Sequence, residues 1–100
     1  MKLGILANTN RHLGHIVGIT KAASAKGHEV SIFAMDEGTE IVTKKEFCNL
    51  CKHDNVMISI CRHSAENRGV DTSTLSKEIV CGSQFNNAVM NNEADKVIVL

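Results

Sequence analysis

Four cysteines are the side chains of this sequence best suited to chemistry: Cys48, Cys51, Cys61 and Cys81. A cysteine acts as a nucleophile or a metal ligand only as the thiolate, so the surroundings of each thiol decide its use. In a reducing compartment, cysteines indicate metal-binding, redox or nucleophilic roles more often than structural disulfides. Their spacing divides them into one Cys-x-x-Cys pair and two single thiols.

Cys61 has the most favourable position of the four for nucleophilic chemistry. It ends the apolar segment 56–61, VMISIC, which has the composition of a buried strand, and a short helical segment follows. Backbone N–H groups at the start of that helix favour a thiolate. Arg62, His63 and Arg68 add positive charge nearby and are predicted to support it. The alternative is that Cys61 is a small buried hydrophobic residue.

Cys81 lies just before the last predicted helix. That helix must run back antiparallel to the final strand, so its N-terminus is expected at the sheet edge where Cys61 lies. Cys81 is therefore a candidate neighbouring thiol that resolves a modified Cys61. The alternative is a packed structural cysteine.

The pair Cys48 and Cys51 is followed by His53, and these three could supply ligands to a metal. A closed zinc site needs four ligands, so the fourth would come from elsewhere in the chain. A redox Cys-x-x-Cys normally follows a strand and opens a helix, whereas this pair follows Lys-Lys-Glu-Phe. We expect an amphipathic turn without metal, with a metal-binding or redox-sensing module as the alternative.

These residues require a framework, and the sequence predicts one in which strands and helices alternate. Such alternation is typical of an α/β fold with a parallel sheet and right-handed crossovers. Ligands of such sheets bind outside the carboxyl ends of the strands, where Cys61 lies. Strands are predicted over 2–7, 28–35, 56–61 and 96–100, and helices over 13–26 and 62–69.

Three further segments are predicted from local signals. Residues 39–54 form a short helix or two turns. A helix starts at 71–74, because Asp, Ser and Thr are good N-caps. Ser83 caps the last helix, whose inner face is expected to carry Phe85, Ala88 and Val89.

The composition excludes several classes of protein. The 100 residues include 11 basic and 11 acidic side chains, and this lack of net charge argues against nucleic-acid binding. No apolar segment reaches the ~20 residues that a bilayer requires, and the N-terminus does not resemble a secretory signal. We therefore expect a cytoplasmic protein without nucleic-acid or membrane partners. No GxGxxG or P-loop motif is present, and no cofactor is expected.

The segment ISICRHSAENRGV resembles the active-site segment of the DsrE/DsrF-like (DsrEFH) sulfur-relay family, most closely that of its TusD-type subunits. In that family a strand ends in a cysteine, and a short helix with a small residue and then Arg-Gly-Val follow. The segments GHEVSIFAMDEG and FNNAVMNNEADKVIVL are also similar, so the resemblance covers residues 1–100 as one domain. The matching positions are Cys61, Ala65, Arg68, Gly69 and Val70.

The resemblance implies a flavodoxin-like three-layer α/β sandwich with a mostly parallel sheet of four or five strands. It implies assembly into homotrimers or homohexamers, and a persulfide on Cys61 that is exchanged with sulfur donor and acceptor proteins. The chain is shorter than TusD-type subunits between strands two and three, and Cys48-x-x-Cys51 is not part of the family pattern. The predicted function is a small sulfur carrier or sulfurtransferase-like protein. The alternatives are the metal or redox module and a non-catalytic oligomeric member of the family.

Overall fold

The computed structural model describes all 100 residues and places them in five strands, four α-helices and two 3-10 helices. The 3-10 helices, Asp36–Thr43 and Asn49–Lys52, flank the second α-helix. In chain order the other elements are β1 (Lys2–Ala7), α1 (Leu13–Ala25), β2 (Glu29–Ala34), α2 (Lys45–Cys48), β3 (Val56–Cys61), α3 (Arg62–Asn67), β4 (Ile79–Gly82), α4 (Gln84–Glu93) and β5 (Lys96–Val99).

The strands form one parallel sheet in the order β4-β3-β2-β1-β5. From β1 to β4 each strand is added on the same side of its predecessor, so right-handed crossovers place α1, α2 and α3 on one face. The connection from β4 to β5 runs back across the sheet and places α4 on the opposite face. The structure therefore confirms the predicted α/β sandwich, with five strands that are all parallel.

The larger hydrophobic core lies between the sheet and helices α1 to α3. Alternate residues of a strand point to opposite faces, and in β3 the buried Val56, Ile58 and Ile60 point to this side. The core contains 15 buried residues, whereas the α4 side has a cluster of only three: Phe33, Cys61 and Met90. The candidate nucleophile thus belongs to the smaller and less complete side of the sheet.

Helix α4 covers only part of its face of the sheet, because it packs on β1 and β2. The predicted inner face of this helix was wrong: Phe85 is 73% exposed and Val89 is also exposed, whereas Met90 is buried. Beside the helix, Met57 of β3 is 69% exposed and Val80 of β4 is exposed as well. These four apolar side chains, which we call the α4 patch, remain without a covering element.

Two other predictions differ from the structure. No helix starts at residues 71–74, because the Asp71 carboxylate accepts hydrogen bonds from the N–H and hydroxyl of Ser73 in a local turn that no apolar periodicity continues. The strand β4 was not predicted, since its four residues lie at the edge of the sheet between polar segments. The short helices within residues 39–54 are confirmed, and they bury Ile41, Val42, Phe47 and Leu50.

The start of α4 is held by a reciprocal cap, as the sequence predicted for Ser83. The Ser83 hydroxyl accepts a hydrogen bond from the Phe85 N–H at 3.2 Å, and the Ser83 N–H donates to Asn86 Oδ1 at 3.0 Å. This arrangement satisfies two of the free N–H groups at the helix start and fixes where Gln84, the first helical residue, lies. No helix of the structure has the length and hydrophobicity needed to cross a lipid bilayer.

Candidate functional site

An open cleft of about 750 Å³ lies at the carboxyl ends of β3 and β4. After these neighbouring strands the chain continues to helices on opposite faces of the sheet, and such a divergence opens a crevice where α/β proteins bind ligands. Cys61, the last residue of β3, is paired in register with Gly82 of β4. The cleft is lined by Met35, Asp36, Cys61, Arg62, His63, Ser64, Glu66, Gly82, Ser83 and Gln84.

Hydrogen-bond donors surround the sulfur of Cys61. The side chain is only 4% exposed, and burial by itself raises the pKa of the thiol. Interactions with the Ser64 hydroxyl and N–H, the Gln84 side-chain amide and the His63 N–H act in the opposite direction, and together they bring its pKa below the ordinary value. The net result favours the thiolate, the form that attacks electrophilic sulfur.

The local sequence explains this arrangement of donors. Cys61 has an extended backbone (φ −80°, ψ 111°) and is the residue before α3, so the first free N–H groups of the helix lie next to its side chain. These N–H groups belong to His63 and Ser64. Ser64, three residues after Cys61, lies in the first turn of α3, and its hydroxyl also lowers the pKa of Cys61.

The three predicted supporting residues have different positions. Arg62 is exposed and lines the cleft. His63 also lines it, its backbone N–H helps to lower the pKa of Cys61, and its ring Nε2 lies 3.2 Å from Asn67 Nδ2. Arg68 does not line the cleft: its guanidinium is 3.1 Å from the carboxylate of Glu40 in an exposed ion pair. Arg62 and His63 therefore line the cleft with Cys61, whereas Arg68 is paired with Glu40 outside it.

Cys81 lies on the opposite face of the sheet from Cys61. The register pairs Cys81 with Ile60, and both pack on the larger core, whereas Cys61 packs with Phe33 and Met90 on the α4 side. Residues one position apart in a strand point to opposite faces, so the sheet itself separates the two sulfurs. The structure does not bring Cys81 to Cys61 as a neighbouring thiol and places it instead as a half-buried core residue.

Cys48, Cys51 and His53 do not converge on a common point. The Cys48 thiol donates to the Val42 carbonyl at 3.0 Å, and Nδ1 of His53 lies 3.4 Å from the Ser24 hydroxyl. Burial, followed by the nearby Glu78 carboxylate and Cys48, raises the pKa of Cys51, which keeps Cys51 a neutral thiol. The structure contains no cluster of three or more His, Cys, Asp or Glu side chains arranged for a metal ion.

The sequence reasoning missed Ser64 and Gln84. A signal for Ser64 was present, because a hydroxyl in the first turn of the helix that follows Cys61 lies near the free N–H groups at the strand end. Gln84 gave no such signal, since it comes from α4, 23 positions along the chain from Cys61. Only the pairing of β4 with β3 places the start of α4 beside the sulfur.

The loop after β2 forms another wall of the cleft and depends on a glycine. A Cβ at Gly38 would overlap the carbonyl of Ala7, so the loop crosses the end of β1 in direct backbone contact. The Met35 N–H donates to that same carbonyl at 2.9 Å, which fixes the loop at its start. Asp36, with a positive φ of 48°, turns the chain away from β2 at the edge of the cleft.

Several solved structures share this fold. The ychN protein from E. coli is 18% identical with a TM-score of 0.76, and the match covers 100% of this chain and 99% of that chain. MTH1491 from Methanobacterium thermoautotrophicum, a protein of unknown function, is 13% identical with a TM-score of 0.76 and coverages of 99% and 98%. BT1422 from Bacteroides thetaiotaomicron, a conserved protein of unknown function, is 18% identical with a TM-score of 0.77 and coverages of 99% and 94%.

No curated protein matches the sequence. The family model for the DsrE/DsrF-like family, in contrast, matches residues 1–100. The segment around Cys61 suggested the same family, and the all-parallel sheet agrees with it. The chain therefore belongs to the DsrE/DsrF-like family.

Proposed function

We propose that this protein is a cytoplasmic sulfur carrier that holds sulfane sulfur as a persulfide on Cys61. The observation that carries the proposal is a cysteine that lines an open cleft together with Gln84, Ser64 and His63, the residues whose polar groups lower the pKa of its thiol. A carrier thiol has to be a thiolate near neutral pH and has to be reached by another protein's sulfur. Membership of the DsrE/DsrF-like family supports this function over a metal or redox role for the other cysteines.

The reaction is a thiol exchange in which atoms and charges balance. The Cys61 thiolate attacks the outer sulfur of a donor persulfide, R–S–SH, and the donor leaves as the thiolate R–S⁻. The product on the carrier is Cys61–S–SH, and no external oxidant or reductant is needed. Attack by an acceptor thiolate on the outer sulfur of this group releases the Cys61 thiolate again. The donors around the sulfur stabilise it both as the attacking group and as the leaving group.

The proposed partners are sulfur donor and acceptor proteins, together with further copies of this chain. The α4 patch supports self-association, because Met57, Val80, Phe85 and Val89 present apolar surface that an isolated subunit leaves in water. Aromatic and Met side chains are enriched at protein interfaces, while charged residues are depleted from interface cores. Helix α4 fits this description, since Glu93 is its only charged residue. We propose a homotrimer or homohexamer assembled through this face.

Sulfur loading is tested by incubating the protein with sodium polysulfide and locating the added sulfur by mass spectrometry. Trypsin separates the thiols, since Cys61 is the only cysteine of peptide 53–62, Cys48 and Cys51 share peptide 46–52, and Cys81 falls in peptide 78–96. We expect a gain of one sulfur atom on peptide 53–62 ahead of the other two, and loss of that product in Cys61→Ser. The Cys81→Ser variant is the matched control and should load normally. Loading confined to the other peptides would refute the proposal.

Self-association is tested by sedimentation velocity of Phe85→Ser. We expect a smaller species than the wild type forms, because a polar side chain weakens the apolar contact. The control is Ile19→Ser, which changes an exposed apolar residue of α1 on the other side of the sheet. A wild type that is monomeric throughout the micromolar range would contradict assembly through the α4 patch.

A further inference from the structure

Three side-chain amides form a hydrogen-bonded chain along α4 that ends at the Cys61 cleft. Asn91 Nδ2 donates to Asn87 Oδ1 at 2.7 Å and to the Asn87 carbonyl at 2.8 Å. Asn87 Nδ2 donates in turn to Gln84 Oε1 at 3.1 Å. Gln84 Nε2 donates to the sulfur of Met35 at 3.7 Å in the wall of the cleft that Cys61 also lines, and the Gln84 amide is one of the groups that lower the pKa of Cys61. The spacing of the three amides, three and four positions, keeps them on one side of the helix.

The hydrogen-bonded chain of amides has a direction, because a side-chain amide donates from its nitrogen and accepts at its oxygen. Asn91 donates to the oxygen of Asn87, which leaves the nitrogen of Asn87 facing Gln84. The oxygen of Gln84 is occupied by that nitrogen, so its own NH₂ group is the end that faces the sulfurs. A reversed Gln84 amide would present a carbonyl oxygen to Cys61 and would disfavour a thiolate there.

We propose that Asn87 and Asn91 are positioning residues for Cys61, because they hold the Gln84 amide with its N–H groups toward the sulfur. Neither asparagine touches Cys61, and both act through Gln84. The inference deepens the proposed carrier function, since it names the residues that set the reactivity of the same thiol. It also explains why an exposed helix face carries a row of amides where charged side chains are the usual choice.

The test is the Asn87→Asp variant, in which a carboxylate of nearly the same shape can accept but not donate. Its oxygens attract the Gln84 NH₂ group, so the Gln84 amide turns and presents its carbonyl to Cys61. We expect alkylation of Cys61 by iodoacetamide at neutral pH to slow by about tenfold, the lower limit expected when a hydrogen bond to a charged group is lost. The inflection of the pH–rate profile should move to higher pH.

Asn92→Asp is the matched control, because it adds the same charge to the same exposed helix outside the amide chain. Asn91→Ala should give a smaller shift in the same direction, since it frees Asn87 without removing it. Equal pH–rate profiles for Asn87→Asp and Asn92→Asp would overturn the proposal, because the effect would then be one of charge alone.

The alkylation rate separates this inference from the carrier function on which it rests. If Asn87→Asp shifts the profile but wild-type Cys61 takes up no sulfur from polysulfide, the positioning role stands and the carrier function fails. If Cys61 loads with sulfur but Asn87→Asp alkylates as the wild type does, the carrier function stands and the positioning role fails. Circular dichroism of each variant checks that the fold is kept.

Discussion

Removal of the Ser64 hydroxyl is the most direct test of the proposed stabilisation of the Cys61 thiolate. After burial, which raises the pKa of Cys61, the Ser64 side chain has the largest influence on that pKa and lowers it. Ser64 is 9% exposed, so the hydroxyl donates in surroundings that water screens only weakly. In Ser64→Ala the backbone N–H of the same residue still reaches the sulfur, which confines the change to one donor.

The size of the effect follows from the energy of one hydrogen bond to a charged group. Such a bond contributes about 1.5–3 kcal/mol, and we take the lower limit because the donors from Gln84 and His63 remain. This amount corresponds to roughly a tenfold smaller thiolate fraction of Cys61 at any pH below its pKa. The pKa of Cys61 therefore moves upward in Ser64→Ala, toward the value of an ordinary cysteine.

The assay is the rate at which iodoacetamide alkylates Cys61 in the folded protein as a function of pH. After tryptic digestion, the extent of reaction is read from peptide 53–62, which contains Cys61 as its only cysteine. We expect the inflection to move to higher pH, with about a tenfold slower reaction near neutral pH. The rate on the alkaline plateau should stay the same, because the thiolate is then fully formed in both proteins. The control is Ser59→Ala, because Ser59 lies on the same strand as Cys61 and on the same face of the sheet. An unchanged inflection in Ser64→Ala would refute the hydrogen-bond account of the thiolate.

Three further predictions concern the stability of the fold. Hydrogen bonds outweigh burial and hold the pKa of Cys61 below its ordinary 9.0. The Cys61 thiolate therefore stabilises the fold fully above pH 9.0, and this contribution is lost as pH falls through the pKa of the folded protein. Urea unfolding of wild type and Cys61→Ala should therefore diverge in favour of wild type as pH rises, and parallel curves would contradict this. Gly38→Ala should lower the free energy of unfolding by about 1–3 kcal/mol or more, because the new Cβ collides with the Ala7 carbonyl. Gly14→Ala, in open space on α1, should raise it by about 0.5–1 kcal/mol. Equal melting temperatures of the two variants would disprove the collision. Thr20→Val should raise the free energy of unfolding by about 1–2 kcal/mol, because the buried Thr20 hydroxyl has no hydrogen-bond partner, and a lower value would show that it has one.

The elements that the sequence predicted well are those whose signals are local. The strand of residues 56–61, the glycine stop of α1 at Gly27 and the cap of α4 at Ser83 all follow from a few neighbouring residues, and the structure contains each of them. The inner face of α4 was misjudged because apolar Phe85 and Val89 were assumed to be buried. A helix that lies alone on one face of a sheet can leave such residues exposed, and this cannot be detected from periodicity alone.

The sequence by itself determined the alternation of strands and helices, the family, and the position of Cys61 between a strand and a helix. Composition, spacing and short motifs carry this information, because they act over only a few residues. The tertiary structure decided which groups reach the sulfur. Strand β4 pairs with β3, and the helices that follow these two strands, α4 and α3, lie on opposite faces of the sheet. A cleft opens between them, and Gln84 of α4 lines it. The same pairing turns Cys81 to the other side of the sheet, because side chains alternate along a strand whatever their chemistry.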